Sequence, residues 1–200
     1  MIDFIATSTF GLEACVKREI TKLGFENIKT FDGRVEFTGD ESAIPKANLW
    51  LRCAGRVYIK MGEFKALSFE DLFQGTKALP WGDWIPVDGK FTVVGKSVKS
   101  TLHSVPDCQA IVKKAIVEKL KEKYDVDWFD ETGAEYTVQV ALLKDVATLT
   151  IDTSGSGLHK RGYRANALDA PLKETLAAAM VELSYWNRDR VLLDPFCGSG

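Results

Sequence analysis

Apolar positions along the chain repeat with two periods, about 3.6 and about 2 residues, and each change of period marks an element. Leu12, Cys15, Val16, Ile20 and Leu23 recur at helical spacing, with Ser8 or Thr9 placed to cap the start and Gly24 to end the run. Met1 to Thr7 before them reads as a strand. Ile28–Phe31 and Arg34–Phe37 flank Asp32-Gly33, a strong tight-hairpin signal. A helix with Pro45 in its first turn and Ala47, Trp50 and Leu51 on its inner face is predicted next, then the alternating strand Val57, Ile59, Met61.

A second set begins where Ser68 can cap a helix bearing Phe69, Leu72 and Phe73. The loop after it holds Trp81 and Trp84, which can either stack on unpaired bases or fill a core. Phe91–Val94 predicts a strand, Pro106 opens a long helix carrying Ile111, Ala115, Ile116 and Leu120, and Tyr136–Leu142 with Ala147–Ile151 alternate as an antiparallel pair. Thr153-Ser154-Gly155-Ser156-Gly157 is the clearest flexible joint. Beyond it, Leu172 to Leu183 reads as an amphipathic, alanine-rich helix.

Composition narrows the picture. Two hundred residues at 46% hydrophobic favour one large or two small domains with a substantial core. A net charge of −2 argues against indiscriminate coating of nucleic acid, so any RNA contact must be local. Charge is in fact polarised: Gly89 to Lys123 carries a balance of +5, and Tyr124 to Asp152 one of −6. Within the basic stretch, Lys96, Ser97, Lys99, Ser100 and Thr101 offer ammonium and hydroxyl groups suited to phosphate and 2′-hydroxyl contacts, or else an ordinary solvated surface. The connector supplies His159, Lys160, Arg161 and Arg164. The arginines suit phosphate binding or a domain-interface fork, and His159 without a visible carboxylate partner suits a polar contact better than a general base.

Cys15, Cys53, Cys108 and Cys197 are widely spaced, with no CxxC pair and two histidines, so neither a disulfide framework nor a metal site is expected. No basic leader or long apolar stretch occurs at the amino terminus, and the expected location is the cytoplasm.

The chemistry concentrates at the end. Val191, Leu192 and Leu193 form a short apolar run of the kind a strand covered on both faces shows. Asp194 places a carboxylate at its carboxyl end, and Gly198 and Gly200 let the backbone approach a ligand closely. By themselves these residues fit either a cofactor loop or a plain strand-to-helix turn.

Asp194-Pro195-Phe196-Cys197-Gly198-Ser199-Gly200 resembles the first S-adenosylmethionine (SAM) motif of class I methyltransferases, in the variant of enzymes that methylate exocyclic amines of bases. Leu158-His159-Lys160-Arg161-Gly162-Tyr163-Arg164 and Ala170-Pro171-Leu172-Lys173-Glu174-Thr175-Leu176-Ala177 resemble the connector and pre-motif helix of bacterial THUMP-domain RNA guanine-N2 methyltransferases of the large-subunit ribosomal type. A weaker likeness runs back to Met1. The resemblance implies an α/β (α+β) chain: an N-terminal ferredoxin-like unit over 1–65, a THUMP RNA-binding core over 66–153, a basic connector over 154–170 and, over 171–200, the start of a Rossmann-like methyltransferase domain. It implies SAM as cofactor, held by the seven-residue motif with Lys173, Glu174 and Thr175 nearby, although the last three equally suit a packing helix. It implies RNA as partner, ribosomal or transfer, and transfer of a methyl group to guanine N2, with adenine still open. Cys197 is expected to fill the loop and not to act as a nucleophile. The residues that grip the target amine are expected beyond Gly200, so residues 1–200 are expected to be inactive alone. The competing classes are a non-catalytic RNA adaptor, and a nucleotide-dependent enzyme of the thiolation or dehydrogenase kind.

Overall fold

A computed structural model describes residues 1–162 and 172–197. It is a mixed α/β structure with seven strands and five α-helices among the described residues: β1 (Ile2–Thr7), α1 (Glu13–Lys22), β2 (Glu26–Phe31), β3 (Arg34–Gly39), α2 (Ala43–Trp50), β4 (Val57–Lys65), α3 (Phe69–Lys77), β5 (Lys90–Val98), α4 (Val105–Tyr124), β6 (Glu135–Leu143), β7 (Val146–Asp152) and α5 (Glu174–Leu183). The chain forms two compact units, Met1–Tyr58 with Thr153–Gly200, and Ile59–Asp152. Of the candidate residues, Arg164, Gly198, Ser199 and Gly200 lie outside the described residues.

In the first unit the strands run β2-β3-β1, followed by the start of β4. Antiparallel pairing sets Phe4 opposite Phe37 and Ala6 opposite Val35. Phe4, Phe37 and Phe25 stack with ring centroids 5.2 and 4.8 Å apart, and Val16 and Ile20 of α1 are buried with them. Gly33 takes φ +73° in the hairpin turn, a conformation that glycine adopts without strain. Capping of α1 departs from expectation. The helix starts at Glu13 behind a Thr9–Leu12 turn, so Ser8 and Thr9 lie too far upstream to reach its amides. Glu13 instead accepts the backbone N–H of Gly33 at 2.8 Å, and that hydrogen bond holds its carboxyl below the usual range.

Helix α2 holds a second correction. Ala43 and Ala47 are buried, but Leu51 takes the next inside position and Trp50 is left 65% exposed. Eight residues make little more than two turns, and the last of them runs past the core.

The second unit orders its strands as β7-β6-β5, with the remainder of β4 beside β7. β5 pairs parallel to β6, with Phe91 opposite Tyr136, and β6 pairs antiparallel to β7, with Val140 opposite Leu149. A parallel pair needs a crossover, which α4 supplies while burying Val112, Ile116 and Leu120. The tryptophan alternative resolves toward the core: Trp81 is fully buried, its indole N–H donating to the Thr76 carbonyl at 2.7 Å, and Trp84 is half-buried.

Helix α3 starts as the sequence predicts. Ser68 Oγ accepts the Asp71 N–H at 3.1 Å while Asp71 accepts the Ser68 N–H at 3.0 Å, a reciprocal capping box. The bonds from Ser68 and Leu67 hold the Asp71 carboxyl below the usual range. Ser68→Ala is expected to lower stability by about 1 kcal/mol in urea denaturation, and a change under a few tenths would count against the box as a contributor.

The apolar run at the end forms no strand. Val191, Leu192 and Leu193 are exposed and make no ladder with any described strand. A strand covered on both faces needs neighbours to take its hydrogen bonds and side chains, and the described residues supply none.

Candidate cofactor and RNA-binding residues

Beyond α5 the chain turns through Tyr185, whose φ of +56° is left-handed, and Trp186 donates its indole N–H to the Arg190 carbonyl at 2.7 Å. Asp194 Oδ1 accepts the Phe196 N–H at 2.9 Å, folding residues 194–196 into a tight turn at the head of the glycine loop. Phe196 and Cys197 are exposed. Lys173 sits at the N-cap of α5 and is exposed, Glu174 lies in its first turn and Thr175 is buried. Lys173 and Glu174 therefore stand at the end of α5 remote from its anchor.

That anchor is an ionic network, with its carboxylates inside and its cations largely exposed, which the sequence reading missed. Glu182, near the carboxyl end of α5, lies 3.1 Å from Arg18 Nε and 3.8 Å from Lys22 Nζ, and accepts a long hydrogen bond from Cys53 Sγ at 3.8 Å. Beside it Glu19, buried on α1, accepts the backbone N–H groups of Arg52 and Cys53, each at 3.0 Å, and Arg52 Nε at 3.1 Å. The available signal was a carboxylate inside the apolar stripe of α1. Glu19, Cys53 and Glu182 have donor atoms within 4.8 Å of one another, a spacing open to a metal ion. Their chemistry fits an ion-pair network better. Arg18, Lys22 and Arg52 already balance the two carboxylates, and burial, followed by the charge of Glu19 and Glu182, pushes the Cys53 thiol far up, which disfavours a thiolate.

The lysine loop lies at one end of the second unit's sheet. Lys96, Lys99 and Thr101 are exposed. The serine hydroxyls are taken up by local backbone: Ser97 Oγ donates to the Leu102 carbonyl at 2.6 Å, and Ser100 Oγ donates to the Val98 carbonyl while accepting the Asp145 N–H. Asp145 Oδ1 in turn accepts the Thr101 N–H at 2.6 Å, Lys144 N–H bonds the Val98 carbonyl, and Ala66 N–H bonds the Asp145 carbonyl. The β5–α4 loop is thus locked to the β6–β7 turn, with Lys99, Lys144 and Asp145 in left-handed conformations. The locking adds Lys144, and Lys65 beside Ala66, to the basic rim. In sequence Lys144 stands within the acidic stretch, so only the fold shows the grouping.

In the connector, Lys160 is exposed, and the His159 ring packs against Gly157, where an added Cβ would lie 2.8 Å from Cε1. Arg161 is committed elsewhere than to a phosphate. Its guanidinium donates to the carbonyls of Leu158, Asn48, Leu49 and Leu51, which makes it the C-terminal cap of α2.

Three family models match in succession: the RlmL ferredoxin-like domain over residues 3–58, the THUMP domain over 66–152 and the RMKL-like methyltransferase domain over 161–200. Together these are the domains of a THUMP-containing methyltransferase. Over 198 residues it is 58% identical to a Bacillus subtilis (strain 168) protein named "Putative RNA methyltransferase YpsC", covering 98% of this chain and 51% of that protein. Among solved structures it resembles "a predicted N6-adenine-specific DNA methylase" of Listeria monocytogenes (57% identity, TM-score 0.95, 98% of this chain and 52% of that one). It also resembles SMU.472, "a putative methyltransferase complexed with SAH" (45% identity, TM-score 0.89, 94% and 50%). The chain spans about half the length of these relatives. The lysine loop falls inside the THUMP match, and α5 with the 194–200 motif falls inside the methyltransferase match, which begins at Arg161.

Proposed function

We propose that the protein is an RNA methyltransferase that transfers the methyl group of SAM to the N2 amine of a guanine in ribosomal RNA. The observation that carries this reading is the joining, in one chain, of a THUMP domain with a basic rim to a methyltransferase segment ending in the 194–200 motif. The complex of SMU.472 with SAH, the demethylated form of SAM, supports the cofactor. When bound, SAM supplies a methyl group on a sulfonium, open to in-line attack by an amine.

Residues of this chain then hold and position. Asp194 closes its turn with one carboxylate oxygen, and the other is an acceptor that fits the hydroxyl or ammonium groups of SAM. Gly198 and Gly200 permit close backbone approach. Lys96, Lys99, Lys144 and Lys160 would hold phosphates, giving salt-sensitive affinity. A THUMP module separated from the cofactor loop by a basic connector suits a substrate that must be gripped at one place and modified at another.

The experiment is methylation of ribosomal and transfer RNA by the full-length protein with isotopically labelled SAM, followed by mass spectrometry of the nucleosides. N2-methylguanosine in ribosomal RNA is expected. The Listeria relative's name gives adenine N6 a specific claim, and N6-methyladenosine as the product would replace the guanine reading. Label confined to transfer RNA would replace the ribosomal one.

A further inference from the structure

Two segments of the first unit, residues 48–56 and 153–162, contain no carboxylate and hold Arg52, Arg56, Lys160 and Arg161. The fold stitches them into one surface. Asn48 bonds the hydroxyls of Thr153 and Ser154, Arg56 donates to the Gly155 carbonyl at 2.7 Å, Leu158 N–H bonds the Gly55 carbonyl, and Arg161 caps the end of α2. On this surface stand Leu49 and Trp50, 69% and 65% exposed. A tryptophan left in water at the end of a helix whose own core positions are filled by Ala43, Ala47 and Leu51 contributes nothing evident to folding.

Electrostatics favours one kind of occupant. The end of a helix carries partial negative charge on its free carbonyls, which would repel phosphate. Arg161 covers the carbonyls of residues 48, 49 and 51, and Lys160, next to it in sequence, is exposed, so positive charge offsets that repulsion at the end of α2. Glu19 pairs with Arg52 from beneath this surface, which leaves Lys160 and Arg161 as the cations at the end of α2. An exposed indole beside such cations matches the stacking sites of single-stranded nucleic acid, where an aromatic face takes the base and cations follow the backbone.

We propose that Trp50 is a stacking platform for an unpaired base of the RNA substrate, flanked by Lys160 as a phosphate contact; this rests on the RNA-methylating reading above. The platform takes single-stranded RNA in preference to duplex, whose bases already stack on one another.

The test is fluorescence anisotropy of the full-length protein with a fluorescein-labelled single-stranded RNA and with a duplex containing the same strand, across a salt series. Trp50→Ala is expected to weaken single-strand binding about ten- to a hundred-fold, with duplex binding and the salt slope unchanged. Trp50→Phe should recover most of the loss, and Lys160→Ala should lower affinity and flatten the salt slope. Single-strand affinity unchanged in Trp50→Ala overturns the proposal, as does equal loss on strand and duplex. A shift in sedimentation of Trp50→Ala without RNA would overturn it in favour of a protein contact. If the parent methylates RNA while Trp50→Ala binds normally, this inference fails and the function stands. If the parent neither binds nor methylates RNA, both fail.

Discussion

Trp81→Ala is expected to remove about 3–5 kcal/mol of stability, more than any other single change considered for this chain. The indole is fully buried in the second unit, within the short 3-10 turn Trp81–Asp83 between α3 and β5. Three effects add. Truncation opens a cavity that a close-packed interior only partly fills. The Thr76 carbonyl loses its shorter donor and keeps only the Leu79 N–H at 3.2 Å, in a region where the Thr76 hydroxyl has no hydrogen-bond partner. The turn itself is held from outside by Tyr124, whose hydroxyl donates to the carbonyls of Gly82 and Ile85, and by Lys123, which donates to the Gly82 carbonyl and pairs with Asp83 at 2.8 Å. Those outer contacts prevent the turn from collapsing inward to fill the space. Trp81→Phe keeps most of the apolar volume and loses only the N–H, so its cost should be nearer 1–3 kcal/mol. Urea denaturation followed by circular dichroism separates these cases. A Trp81→Ala midpoint within error of the parent would show that the turn is not part of the cooperative core. Natural domains have about 5–15 kcal/mol in total, so the alanine variant is also expected to be degraded more readily in cells.

The contrast between Trp81 and Trp50 shows what the sequence could carry. Local signals translate directly into structure: the Asp32-Gly33 turn, the Ser68 cap and the alternation of β6 and β7 each need only neighbouring residues to act. Side-chain burial depends on what comes from elsewhere in the chain. Trp50 falls on the helical stripe of Ala43 and Ala47, yet Leu51 takes the inside position, and no local pattern ranks one above the other. The same holds for the candidate site. The glycine motif and the lysine loop stand out as candidates in sequence because their chemistry lies in consecutive residues. Glu19, Cys53 and Glu182 come together from three distant segments, and Lys144 joins the lysine rim only through the left-handed turn that Asp145 locks. Arg161 marks a further limit, since a guanidinium suited to phosphate is equally suited to the carbonyls at a helix end, and the tertiary fold decides between them.

Residues 1–200 assayed alone are expected to transfer no methyl group while keeping salt-sensitive RNA affinity. The two activities depend on different kinds of completeness. The basic rim of the second unit and the stitched surface of the first present exposed side chains on loops whose backbone is hydrogen-bonded within the described structure, so the proposed RNA contact calls for no further residues. The cofactor segment lacks such support: Val191 and Leu193 are 94% and 81% exposed, and Phe196 is 92% exposed. A loop that must present a carboxylate and backbone amides within a fraction of an ångström of their working positions needs a strand fixed on both sides beneath it. The anchor of α5 through Glu182 to Arg18, Lys22 and Cys53 holds the start of the methyltransferase segment against α1, yet that network lies at the far end of the helix from Lys173 and Glu174. Incubating the 200-residue chain and the full-length protein in parallel with labelled SAM and ribosomal RNA reads both halves of the prediction. Transfer above background by the shorter chain would show that the cofactor pocket and the amine-binding groups lie within these residues, and would remove the need for any downstream contribution. Transfer by the full-length protein alone, with RNA binding retained by both, would place recognition of the substrate in this part of the chain and its chemistry in the part that follows.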